Sequence, residues 1–223
     1  MVSSRTRPPR TILITSGPTR ARLDAVRFLS NRSTGRFGTL LASEALHRGA
    51  QVTLIYGIGS ETPPPHRRLR LVPVETNRDL ERALRTELRD RRFDAVIHAM
   101  AVLDFQPSGL RRGKVGSRSG AWTVRFEKAP KIIPRIKRWA PNTFLVGFKL
   151  EVAVGERRLL ARARRLLKES RADVVVANQL SEGEDREHPG YLMNARGRVV
   201  TKAIGKRPLA RAIVALVLRQ ART

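Results

Sequence analysis

Residues 11–38 read TILITSGPTRARLDAVRFLSNRSTGRFG, and this stretch decides the fold. It opens with an apolar, β-branched run from Thr11 to Thr15 and breaks at Ser16-Gly17-Pro18-Thr19. A basic loop then leads to Ser30-Asn31-Arg32-Ser33-Thr34-Gly35, and from about Gly35 the apolar residues take up helical spacing as far as Gly49. A continuous β-branched run suits a strand covered on both faces. Strand, long polar loop and helix start make the first half of a βαβ unit. The loop lies at the carboxyl end of the first strand, where open α/β sheets bind their ligands. Small and hydroxylated residues let backbone N–H groups approach an anion, and a helix N-terminus favours negative charge. The loop therefore reads either as a cradle for phosphate or carboxylate, or as an ordinary capped βα turn.

Outward from that stretch, strands and helices alternate. Residues 51–56 (QVTLIY), 69–74, 94–100 (DAVIHAM), 143–147 and 173–177 (DVVVA) read as strands. Residues 35–49, 77–91, 131–139, 156–170 and 209–218 carry helical spacing. Asn77 is placed to cap the second helix, and Pro130 to open the third. Leu209, Ile213, Leu216 and Val217 would face inward from the last helix. This alternation predicts a doubly wound, mostly parallel, Rossmann-like α/β sheet with helices on both faces. Residues 106–120 lack apolar periodicity and mix glycine, serine and basic residues, with Lys114 between Gly113 and Gly116. They read as a basic flap that pairs with residues 122–126 as a ribbon. Residues 181–190 hold the main acidic cluster, followed by a hairpin around Ala195-Arg196-Gly197.

The formal net charge is +26, from 45 Lys and Arg against 19 Asp and Glu. Such a field attracts polyanions. The arginines spread over every helix, however, and no helix-turn-helix, zinc-finger or aromatic RNA-reading motif accompanies them, so no specific nucleic-acid partner is expected. Cysteine is absent, which removes disulfides and thiolate chemistry and fits a cytoplasmic address. No apolar run approaches the roughly 18–20 residues of a membrane span. Residues 1–10 are basic and lack the apolar core of a secretory signal, so they read as a flexible tail before one domain over 11–223.

The blocks then fall into a known order. ITSGPTR (14–20), D-x-V-R-F-L-S-N-R-S-T-G-R-F-G (24–38), IHAMAVLDF (97–105), Lys114, EKAPKII (127–133), VGFKLEV (146–152) and ADVVVAN (172–178) resemble the phosphopantothenoylcysteine synthetase (phosphopantothenate–cysteine ligase) family, closest to its free-standing bacterial form. The resemblance covers residues 11–201. It implies a ligase of coenzyme A biosynthesis that joins 4′-phosphopantothenate to L-cysteine through an acyl-nucleotidylate, with CTP or alternatively ATP, Mg²⁺ on the triphosphate, and no flavin. It also implies a homodimer with shared active sites, formed through a flap and β-hairpin extension.

Carried over residue by residue, the resemblance makes Asn31 the amide that holds the acyl-nucleotide. Lys114, ten positions after the nucleotide-binding Asp104, becomes the flap cation facing the triphosphate. His98, Ala99, Met100, Pro130, Lys131, Ile132, Ile133, Phe148 and Lys168 fall on nucleotide contacts. Gly17, Thr19, Arg20, Ser33 and Gly35 join Asn31 on the substrate side. Met100, Lys131 and Lys149-Leu150 depart from the fused members' pattern, all on the nucleotide side. Two other readings compete. A nicotinamide-dependent oxidoreductase would share the fold, but 57–59 (GIG) lacks the third glycine and helix of the dinucleotide fingerprint, and no acidic residue closes the second strand. A basic nucleic-acid-binding protein would have to rely on charge alone.

Overall fold

In the computed structural model, residues 10–109, 112–117, 120–180 and 189–220 are described. The expected tail, but for Arg10, and the acidic cluster at 181–188 lie outside them. The first strand, β1 (Thr11–Ser16), is buried from Ile12 onward, as its continuous apolar run requires. It is followed in chain order by β2 (Arg20–Arg22), β3 (Phe28–Ser30), α1 (Arg36–His47), β4 (Gln51–Gly57), β5 (Leu69–Val74), α2 (Asn77–Asp90), β6 (Ala95–His98), β7 (Phe105–Pro107), β8 (Phe126–Lys128), α3 (Ile133–Trp139), β9 (Phe144–Val152), α4 (Glu156–Ser170), β10 (Val174–Leu180), β11 (Pro189–Asn194), β12 (Val199–Ile204) and α5 (Lys206–Gln220).

The main sheet has the order β12-β11-β10-β9-β6-β1-β4-β5. Its six strands from β5 to β10 are parallel, and β11 and β12 add an antiparallel edge. The chain starts in the middle at β1, builds outward through β4 and β5, then returns to the other side of β1 with β6 and continues through β9 to β10. The direction reverses between β1 and β6, and the carboxyl ends of the strands at such a switch point are where open α/β sheets bind their ligands. Alternate residues feed opposite layers, as the strand period of two requires. Ile12, Ile14, Val52, Leu54 and Ile97 pack under α1 and α5. Leu13, Ile55, Val96, Leu145 and Val175 pack against α2, α3 and α4. The doubly wound α/β architecture read from the sequence is the architecture found.

Local details differ from the sequence reading. The cap of α2 is Thr76, whose Oγ1 accepts the Asp79 N–H while the Asp79 carboxylate accepts the Thr76 N–H, a reciprocal box. Burial raises the Asp79 pKa, but the bonds from Thr76 and the charge of Arg82 outweigh it and hold the carboxyl below its usual range. Asn77 is thus free for another task. The helix expected from Pro130 begins at Ile133, because Pro134 takes the first-turn position that needs no N–H. Ala129 N–H, bonded to Asp104 C=O at 2.8 Å, keeps the preceding segment out of the helix. The flap ribbon is β7 with β8: Phe126 pairs with Pro107, and Arg125 C=O accepts the Ser108 N–H at 2.9 Å, so the expected pairing is met only at its 125–126 end. The basic loop after β1 folds into the β2–β3 hairpin. Leu216 is only half-buried, the inner face of α5 being Leu209, Ala210, Ile213, Val214 and Val217.

Candidate active site

The switch point is held by one hydroxyl. Thr15, in β1, is fully buried. Its Oγ1 accepts the Met100 N–H at 3.2 Å and lies 2.9 Å from His98 Nδ1. The bonds are complete when the threonine proton goes to Nδ1 and the neutral imidazole keeps its own proton on Nε2. Burial lowers the His98 pKa to about 4, because an imidazolium there would be stripped of water. In the unfolded chain the ring titrates near its ordinary value, so between about pH 6.5 and pH 4 the unfolded state binds the extra proton. Stability is then whole above that window and falls as pH drops through it, by up to roughly 3 kcal/mol. Urea midpoints at pH 7 and pH 4 should show this extra acid sensitivity in the wild type and its loss in His98→Gln. Equal sensitivity in both proteins would contradict the assignment.

Beyond the strand ends, three loops are stapled together. The β1 exit runs beside residues 101–103: Ala101 N–H donates to Gly17 C=O, Thr19 N–H donates to Ala101 C=O, and Pro18 and Ala101 form an isolated parallel bridge. Thr19 Oγ1 accepts the Leu103 N–H at 3.0 Å and donates to Asn77 Oδ1 at 2.6 Å, while Asn77 Nδ2 donates to Leu103 C=O at 2.8 Å. Gly17 and Gly35 both have positive φ, 76° and 82°. A Cβ on either would run into the Ser60 side chain, which fills the space between them. Gly35 starts α1 and its carbonyl accepts from Ser16 Oγ at 3.0 Å. Arg20 extends away over the Phe28 ring, 4.2 Å from its centroid. Ser33 is half-buried.

Onto this frame Asn31 is exposed and donates from Nδ2 to Ala101 C=O at 3.0 Å. Three residues on, Asp104 is exposed and pairs with Lys131 Nζ at 2.5 Å. Both partners are more than half exposed, so the pair is worth under about 1 kcal/mol and exchanges readily for a ligand's charge. Pro130 and Lys131 are exposed, Ile132 is buried, and Ile133 is half-buried at the start of α3. Phe148, level with the strand ends, meets Phe37 of α1 edge to face at 5.8 Å. Met100 is buried and Ala99 half-buried. Lys114 is exposed on the flap, with no bonding partner among the described residues.

The profile described as the DNA/pantothenate metabolism flavoprotein C-terminal domain matches residues 9–220. The chain belongs to that family. It is 34% identical over 199 residues to the coenzyme A biosynthesis bifunctional protein CoaBC of Thermococcus kodakarensis, covering 89% of this chain and 48% of that protein. The chain spans about half the length of the curated relatives it matches. The DNA/pantothenate metabolism flavoprotein from Streptococcus pneumoniae superposes with a TM-score of 0.86 at 28% identity, covering 95% of this chain and 99% of that one. The C-terminal domain of a CoaBC protein gives 0.76 at 26% identity, covering 96% and 97%.

Of the family positions carried over from sequence, the fold separates Lys168 from the rest. It is exposed in the last turn of α4. That helix runs from the carboxyl end of β9 back to the amino end of its parallel neighbour β10. Lys168 therefore lies on the opposite edge of the sheet from Asp104, within its own chain. Three residues at the site escaped the sequence reading. Thr15 looked like one more β-branched strand residue, and Asn77 looked like a cap. Asp24 opened one of the family blocks but was given no role, although it is the one carboxylate between Arg20 and Arg36.

Proposed function

We propose that this chain ligates 4′-phosphopantothenate to L-cysteine in coenzyme A biosynthesis. The reading rests on its family, on the coenzyme A role named for its CoaBC relatives, and on one observation. The Asn31 amide is bonded to the same short segment, 101–104, that presents Asp104 beside the switch point. In this reading a carboxylate oxygen of phosphopantothenate attacks the α-phosphorus of a nucleoside triphosphate. The new O–P bond forms as the bond to the β-phosphate breaks and pyrophosphate leaves. The cysteine amine then attacks the acyl carbon, giving the amide, a nucleoside monophosphate and a proton. No atom changes oxidation state in either step, so the reaction needs no flavin.

No protein nucleophile is required; the chain places charges and excludes misorientation. The Asn31 amide donates to the acyl-phosphate without titrating. Asp104 and Lys131 face the nucleotide, and Lys114 offsets the charge that builds on the leaving pyrophosphate. CTP is the expected nucleotide, ATP the alternative. Among the described residues no group of three or more His, Asp or Glu side chains could hold a metal. Mg²⁺ would accordingly arrive on the triphosphate, held mainly by phosphate oxygens and water. The two short ribbons leave Val26, Phe28, Phe105 and Phe126 between 41% and 61% exposed. A second copy of the chain would cover these residues and complete each site.

The test is to incubate the chain with phosphopantothenate, cysteine, Mg²⁺ and each nucleoside triphosphate in turn. Equal amounts of monophosphate, pyrophosphate and amide are expected, with CTP the best substrate. Diphosphate with orthophosphate would instead mean an acyl-phosphate intermediate and would remove the nucleotidyl step.

A further inference from the structure

Asp24 has a place in the structure that the ligase reading does not use. It lies in the turn between β2 and β3, its side chain wholly buried. Its Oδ1 accepts the N–H groups of Val26 and Arg27, both at 2.8 Å, and closes the turn. Its Oδ2 accepts from Arg27 Nη1 at 3.0 Å and from the Val115 N–H at 3.1 Å, across 91 residues of sequence. Arg27 Nη2 in turn donates to Val115 C=O at 3.3 Å. One ion pair thus satisfies both backbone groups of Val115. The Arg27 guanidinium also stacks over Trp122, 5.1 Å from the ring centroid, so the flap is gripped a second time beyond Val115. Burial alone would raise the Asp24 pKa, but three backbone donors and Arg27 outweigh it and keep the carboxyl ionised.

The neighbour of Val115 is Lys114, and the strand that leaves the Asp24 turn, β3, ends one residue before Asn31. We propose that Asp24 is a positioning residue: by fixing Val115 it sets where Lys114 stands relative to Asn31. The hairpin couples the two halves of the site, so the lysine reaches the triphosphate only from a flap docked on Asp24. This rests on the ligase reading.

Asp24→Asn tests it, because the two sides of the carboxylate respond differently. An amide has one acceptor oxygen. Turned toward Val26 and Arg27 it keeps the local turn and points its NH₂ at the Val115 N–H and the Arg27 guanidinium, donor against donors. The flap is released while the hairpin stays. Amide exchange at Val115 should speed up by about tenfold or more. The kcat for pyrophosphate release should fall by roughly 100-fold through misplacement of Lys114, with KM for phosphopantothenate unchanged. In a Lys114→Gln background the same substitution should cost less than about threefold further, because both act through one group. Equal losses in both backgrounds, unchanged kcat, or unchanged exchange at Val115 would each overturn the proposal. Should Asp24→Asn not fold, Trp122→Ala removes the ring beneath Arg27 without touching the carboxylate, and should raise Val115 exchange and lower kcat severalfold in the same pattern. Wild-type protein that releases no pyrophosphate would defeat the ligase reading itself, whereas the hold on Val115 is judged separately by exchange.

Discussion

Lys114→Gln is expected to slow pyrophosphate release by roughly 100- to 1,000-fold, while the urea midpoint stays where it was. The two halves of that result have separate causes. Lys114 is exposed and bonds to no described residue, so its charge supports nothing in the folded chain. Exposed substitutions of this kind stay within about 0.5 kcal/mol of neutral. Its proposed work is done only when triphosphate is present. As the carboxylate displaces pyrophosphate, negative charge grows on the leaving group, and a cation held there in advance lowers the barrier without having to be reorganised. Glutamine, one bond shorter, keeps N–H donors but not the charge, so the variant tests chiefly the electrostatic part. The measurement is a single-turnover assay of pyrophosphate release at saturating nucleotide, beside a denaturant curve. A variant as fast as the wild type would take Lys114 out of the mechanism.

How much of this was legible in the sequence depends on whether a signal was local. The apolar runs at 11–15 and 174–177 and the helical spacing of 156–170 carry their own periodicity; β1 and α4 lie where those patterns put them, and β10 starts there but runs three residues further, to Leu180, paired with β9. Asn31 and Asp104 were named by the family resemblance, and the fold brings them to one segment, Asn31 Nδ2 donating to Ala101 C=O three residues before Asp104. What was lost depends on contacts made across the chain. Asn77 caps nothing because Thr76 already holds the box with Asp79; its side chain instead spans Thr19 and Leu103, and no spacing rule links those three. Pro130 misled because Pro134 fits the same helix position equally well. Lys168 was named by the family resemblance alone, and the parallel crossover of α4 carries it to the amino end of β10, away from Asp104 within the chain. Asp24 shows the reverse case: a single acid among arginines is a visible anomaly, and its buried position at the flap accounts for it.

The remaining large effect is expected at Gly57, the last residue of β4. Gly57→Ala should destabilise the chain by about 3 kcal/mol or more and lower turnover as well. A Cβ there would sit 2.0 Å from the Pro18 carbonyl oxygen, with the Pro18 carbonyl carbon and nitrogen at 3.1 and 3.2 Å. All three are backbone atoms, so no side-chain rotation can make room; either β4 withdraws from β1 or the loop at Pro18 moves. Neither movement stays local. β4 is bonded to β1 along its length, with Tyr56 beside Ser16. Pro18 is bridged to Ala101, whose amide holds Gly17 and whose carbonyl receives both Thr19 N–H and Asn31 Nδ2. Pushing Pro18 therefore displaces the segment on which Asn31 rests, and a shift of about 1 Å in a reacting geometry is enough to cost roughly 100-fold in rate. Gly109→Ala is the matched control, since a Cβ there meets nothing within 4 Å. Urea midpoints and turnover for the two variants, measured together, separate a general intolerance of added methyl groups from this one close approach. If Gly57→Ala unfolds at the same urea concentration as Gly109→Ala, the strand end and the Pro18 loop are not locked together, and the placement of Asn31 must come from elsewhere.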